Sequence, residues 1–234
     1  MGARDIISRA LQEGRTKLLE DEALELIRLY GGDVAPFGVA KGPEDAAKVA
    51  KDVGFPVVVK VISPDISHKS DVGGVVLNLR SEEDVRKAVE GMLRNVPQRA
   101  KGARIVGVLV QKMAKPGLEV IVGSMRDPVF GPVLMFGLGG IFVEVLRDVS
   151  FRVAPVTMED AIEMLGEIKS SKILDGYRGM PAIDKRAIAK IIVALSKLME
   201  ENDEIASVDL NPIEAYPDGA VVVDARVILS DRGA

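Results

Sequence analysis

Several groups of polar residues in this 234-residue sequence are placed where they could do chemistry. Lys60 stands inside the β-branched run Val57-Val58-Val59-Lys60-Val61. An ammonium there must reach solvent, a carboxylate or an anion, because burying it unpaired is costly. It reads as an outward-facing edge residue or as a phosphate contact. The stretch that follows, 63–74 (SPDISHKSDVGG), carries His68, the single histidine. This is either a solvated loop residue or a neutral nucleophile able to carry a phosphoryl group. Gly73-Gly74 either makes a plain turn or offers close backbone approach and N–H groups to an anion.

Two further groups lie downstream. Gln111-Lys112-Met113, followed by Glu119, ends a β-rich run. Such a strand end can offer backbone N–H and C=O groups to a purine, with methionine against the ring, or be an ordinary core strand. Near the C-terminus, Asp209-Leu210-Asn211-Pro212 precedes the turn signal Pro217-Asp218-Gly219. Counting outward from that turn sets Asn211 opposite Asp224 and Asp209 opposite Arg226. Strand alternation puts Asp209 and Asn211 on one face. Converging oxygens of this kind suit Mg²⁺ on a nucleotide, while an Asp209–Arg226 cross-strand ion pair is the structural rival. Gly137-Leu138-Gly139-Gly140, with Glu144, Arg147, Asp148 and Arg152 beyond it, lacks both the Gly-Lys-Ser/Thr ending of a P-loop and G-x-G-x-x-G spacing.

The elements that must position these residues follow from periodicity. Helices are predicted over 4–30, 43–53, 81–94, 157–169 and 184–201. Strands are predicted over 56–62, 75–79, 105–113, 118–122, 129–146, 205–213 and 220–229. Strict βαβ alternation is lacking, which argues for an α+β fold of mixed or antiparallel sheets with flanking helices.

Composition narrows the function further. Apolar residues make up 47 % and charged residues 28 % of the chain, enough for a sizeable core and a polar surface. Net charge −4 gives no footing for nucleic acid or an anionic membrane. With no cysteine and one histidine, disulfides, cysteine nucleophiles and multi-histidine metal sites are excluded. The N-terminal residues lack the apolar core of a signal sequence. The longest uncharged stretch, 128–143, is too short and too broken by glycine and proline to span a membrane. A cytoplasmic location is expected.

Four segments together resemble a known family: 55–75 (FPVVVKVISPDISHKSDVGGV), 108–123 (VLVQKMAKPGLEVIVG), 127–155 (DPVFGPVLMFGLGGIFVEVLRDVSFRVAP) and 208–226 (VDLNPIEAYPDGAVVVDAR). The chain is similar to the β subunits of ADP-forming acetyl-CoA synthetases, ATP-grasp acyl-CoA ligases related to succinyl-CoA synthetase. The resemblance implies an ATP-grasp fold, with 1–33 a helical lead segment, 34–112 the small lobe, 113–234 the large lobe, and nucleotide held between the lobes. It implies ADP or ATP with Mg²⁺ as cofactors and a CoA-binding α subunit as partner in a heterotetramer. Lys60 matches the phosphate-binding lysine, and Gln111, Lys112 and Met113 the adenine hinge. Glu119 matches the acid near the ribose, and Asn211 and Asp224 the Mg²⁺ ligands. Asp209 is a further ligand or the orienter of a histidine. His68 matches the histidine that these enzymes phosphorylate on their nucleotide subunit. An ATP-grasp carboxylate–amine ligase or a nucleotide-sensing subunit is the alternative.

Overall fold

A computed structural model describes residues 2–66, 68–140 and 147–230. Its contacts divide the chain into two compact units. One comprises Leu19–Asp21 and Ala35–Ala114; the other comprises Met1–Leu18, Glu22–Val34 and Lys115–Ala234.

The first unit is a four-stranded antiparallel sheet covered by two helices. Its elements are β1 (Phe37–Ala40), α3 (Pro43–Val53), β2 (Val57–Ile62), β3 (Val75–Leu79), α4 (Glu82–Arg99) and β4 (Gly107–Lys112), with strand order β1-β4-β2-β3. Pro43 opens α3, where a missing N–H costs nothing. The Ser81 side chain caps α4 by accepting from the Asp84 N–H. The core joins the valines of β2 and β4 to Ala46 and Ala50 of α3 and Val85, Val89 and Met92 of α4. Every residue of β2 is buried, Lys60 included.

The second unit is built on a larger antiparallel sheet. Its strands are β5 (Leu118–Asp127), β6 (Gly131–Leu138), β7 (Val149–Val153), β8 (Ile205–Tyr216), β9 (Gly219–Val222) and β10 (Ala225–Leu229). The order is β10-β8-β5-β6-β7, with β9 also paired to β8. Helices α5 (Met158–Glu167) and α6 (Lys185–Glu201) lie against it. Leu134, Phe136 and Leu138 of β6 and the apolar stripe of α6 are buried. The Thr157 capping box starts α5.

The α+β class and antiparallel sheets agree with the sequence reading, but three local expectations need correction. The helix expected over 4–30 is two helices, α1 (Ala3–Gln12) and α2 (Glu20–Leu29). Gly14 adopts φ +68, which stops the first, and Arg15 leaves the helical path to pair with Glu22 at 2.7 Å. β1 was not foreseen, being four residues long with Gly38 inside it. Gly38 is required there, since a Cβ would lie 2.6 Å from Val49 of α3. β7 was also missed, and the predicted strand over 129–146 ends at Leu138 as β6. The rest of that expectation falls on residues 141–146, outside the described residues. Among the described residues no helix is long and apolar enough to cross a membrane.

Candidate active site

β2 carries Lys60 in register with Leu109 of β4 and Val75 of β3. Its ammonium is 2.5 Å from a carboxylate oxygen of Glu20, and the other oxygen of Glu20 accepts from Lys69. The Glu20 side chain is 3 % exposed. Burial is the largest influence on this carboxyl and pushes its pKa up. Lys60 and then Lys69 outweigh it, so the acid sits below the ordinary carboxylate range. Of the destinations open to Lys60, the structure therefore supplies a carboxylate.

His68 is exposed on the loop joining β2 to β3, and Ile66 and Lys69 near it are tied down. Ile66 is buried in the core and Lys69 reaches Glu20. The Gly74 N–H donates to the Lys69 carbonyl at 2.7 Å and the Gly73 N–H to that of Ser70 at 3.0 Å. Both glycine N–H groups thus close the loop, which is the plain turn that the sequence offered as one of two readings of this pair. Glycine is still required at 74, because a Cβ would lie 2.5 Å from a Val61 methyl and 3.0 Å from the Lys69 carbonyl.

Gln111 on β4 is completely buried, and among the described residues its side-chain amide has no hydrogen-bond partner at either end. A buried amide left in that state costs about 1–3 kcal/mol. Lys112 has a structural task, its ammonium donating to the carbonyls of Gly54 at 2.9 Å and Phe55 at 2.5 Å. The backbone N–H groups of Lys112 and Met113 are also engaged, by Pro36 and Pro56.

In the second unit, the register of β8 and β10 pairs Asp209 with Arg226, and the Asn211 N–H donates to the Asp224 carbonyl at 3.3 Å. The facing deduced from the turn therefore holds. Burial raises the Asp209 carboxyl above its ordinary value, and Arg226 offsets this only in part. Asp209 and Asn211 line a cavity of about 430 Å³ with Ile121, Gly123, Met135 and Phe151 on one face of the sheet. Gly123 pairs with Asp209 on one side and Met135 on the other, so its missing side chain leaves space beside the carboxylate. Among the described residues no cluster of three or more His, Cys, Asp or Glu side chains could hold a metal alone. Mg²⁺ takes few protein oxygens and completes its shell with phosphate and water, and an amide and a carboxylate oxygen such as those of Asn211 and Asp224 are of the kind it accepts.

Glu119 on β5 is exposed and pairs with Glu214 of β8. Burial raises the Glu214 carboxyl, the Gly117 N–H lowers it, and Glu119 raises it again. Gly139 and Gly140 pass beside Glu119, where a Cβ on Gly139 would lie 3.0 Å from the Glu119 Cβ. The other charged residues beyond these glycines are structural. Asp148 accepts from the N–H groups of Lys169 and Ser170, and Arg152 pairs with Glu167 of α5. Glu144 lies outside the described residues.

An ATP-grasp domain model matches residues 9–229. The chain is 50 % identical over 227 residues to acetate–CoA ligase (ADP-forming) I subunit beta of Pyrococcus furiosus, covering 97 % of both chains. It belongs to the ATP-grasp family, among the β subunits of ADP-forming acetate–CoA ligases. Two solved structures of the dinucleotide-forming acetyl-coenzyme A synthetase 1 of Ca. Korarchaeum cryptofilum are also similar. One, with coenzyme A, acetyl-coenzyme A and a phosphorylated phosphohistidine segment in a site I orientation, matches at TM-score 0.93 and 49 % identity. The other, with coenzyme A and Mg-AMPPCP and the segment pointing towards the nucleotide binding site, matches at 0.87 and 48 %. Each match covers 98 % of this chain and 100 % of the relative. A β subunit of this family is the nucleotide-binding part of a ligase and has a companion subunit.

Sequence reasoning missed Glu20 and Glu214. Lys60 announced that a counter-ion was needed, but nothing singled out Glu20 among 35 acidic residues. Glu214 lies five residues past Asp209 on the same strand and was hidden in a run that reads as ordinary β structure.

Proposed function

We propose that His68 carries the phosphoryl group in the reversible reaction of acyl-CoA, ADP and phosphate to free acid, ATP and CoA. The observation that carries this is the exposed imidazole of His68, held on a loop tied to Lys60 through the shared carboxylate of Glu20. A CoA-binding α subunit would form the acyl phosphate and pass its phosphoryl group through a phosphohistidine of its own. An imidazole nitrogen of His68 attacks that phosphorus, the first N–P bond breaks, and a phosphohistidine forms here. An oxygen of the ADP β-phosphate then attacks the same phosphorus. The His68 N–P bond breaks, ATP leaves, and the neutral imidazole is restored.

Preorganised charge is the main catalytic demand of phosphoryl transfer. Lys60 supplies a fixed cation, and Asp209 serves as a further Mg²⁺ ligand or as the orienter of a histidine. Gln111 offers its amide to the base, Met113 packs against it, and Glu119 takes the ribose side. Mg²⁺, when bound through Asn211 and Asp224, neutralises phosphate charge. Residues 34–112 form the small lobe and 113–234 the large lobe, with 1–33 leading in. The assembly is a cytoplasmic heterotetramer with the α subunit.

The test is His68→Ala in enzyme reconstituted with its α subunit. Synthesis of ATP from acetyl-CoA is expected to fall by at least about 10³-fold, as on loss of a covalent catalyst. Near wild-type turnover would end the relay reading.

A further inference from the structure

The Glu20 carboxylate faces two lysines with different duties. Lys60 is fixed in the middle of β2, whereas Lys69 follows His68 directly and rides on the loop. Glu20 is thus a bolt from the first turn of α2 to the phosphate-carrying segment. On the N-terminal side of His68 the anchor is Ile66, which is buried in the core, so the histidine sits between an apolar anchor and an ionic one. The ionic anchor organises the loop behind it, since the Lys69 carbonyl accepts the Gly74 N–H and the Gly74 carbonyl accepts the Val61 N–H at 2.8 Å. A Cβ at Gly74 would meet a Val61 methyl first and then the Lys69 carbonyl. The Lys69 side chain is 19 % exposed and that of Glu20 3 %, so the pair is largely shielded from water and holds the loop firmly.

We infer that Glu20 is a positioning residue that latches the His68 loop in place through Lys69. Its importance for turnover rests on His68 being the phosphate carrier, but the latch itself does not. The experiment is amide hydrogen exchange of the isolated subunit as wild type, Lys69→Met and Lys69→Arg. Lys69→Met should speed exchange at the Gly73 and Gly74 amides at least about tenfold and leave α3 and α4 unchanged. Lys69→Arg should restore protection to within about threefold. In the reconstituted enzyme Lys69→Met should lower kcat at least about fivefold while KM for ADP stays within about twofold. Unchanged exchange at Gly73 and Gly74 in Lys69→Met would overturn the latch, as would failure of arginine to rescue. If instead the exchange result holds but γ-labelled ATP leaves His68 unlabelled, the latch stands and the relay falls.

Discussion

Replacing Glu20 by glutamine removes one negative charge and changes almost nothing in shape. The charge is worth a great deal here because its partners have poor access to water. The Lys60 side chain is 9 % exposed and that of Lys69 19 %. Removing one partner of a buried ion pair costs about 3–5 kcal/mol, because the other charge stays buried and unpaired. Glutamine still accepts a hydrogen bond and Lys69 can turn towards solvent, so the lower end, about 3 kcal/mol, is expected. With a urea slope of about 2–3 kcal/mol per molar, the midpoint should fall by about 1–1.5 M. Far-UV circular dichroism of the nucleotide-free subunit follows it, and the double variant Glu20→Gln/Lys60→Met completes the cycle. If the pair is the cause, the double variant should recover at least about 1 kcal/mol relative to the sum of the singles. The pH dependence fixes the sign. Because the folded carboxyl titrates below the ordinary value, its stabilisation is complete at neutral pH and is lost as pH falls through the depressed pKa. The gap between wild type and Glu20→Gln should therefore close on acidification. A midpoint shift under about 0.3 M at neutral pH, or strict additivity in the cycle, would refute this account.

Two other outcomes follow from the site. Gln111→Met removes an unpaired buried amide, so the nucleotide-free subunit should gain about 1 kcal/mol while calorimetry shows ADP binding weakened roughly 2- to 10-fold. Asp209→Asn should leave the melting temperature unchanged or higher by no more than a few degrees at neutral pH. A carboxyl raised by burial destabilises the fold above its unfolded pKa, and amide substitution lifts that penalty. The difference should vanish below the ordinary carboxylate pKa. Turnover of the same variant should drop roughly 10- to 100-fold, the scale of a lost hydrogen bond to a charged group.

The sequence by itself determined the elements with strong periodicity and the pairing that a turn fixes. Val57–Ile62 had to be a strand, and Pro217-Asp218-Gly219 set Asp209 against Arg226, because register propagates residue by residue from a tight turn. It also singled out Lys60 through an anomalous charge in an apolar run, while His68 was marked by resemblance to a family and not by the composition of its loop. What only the tertiary structure decided were matters of distance along the chain. Glu20 meets Lys60 across 40 residues, and no local pattern encodes which carboxylate arrives. The break after α1 depends on Arg15 finding Glu22, and Gly74 on where the Lys69 carbonyl comes to rest. Short elements such as β1 were illegible because four residues hold too little periodicity of their own. That strand exists because β4 offers it an edge on which to pair.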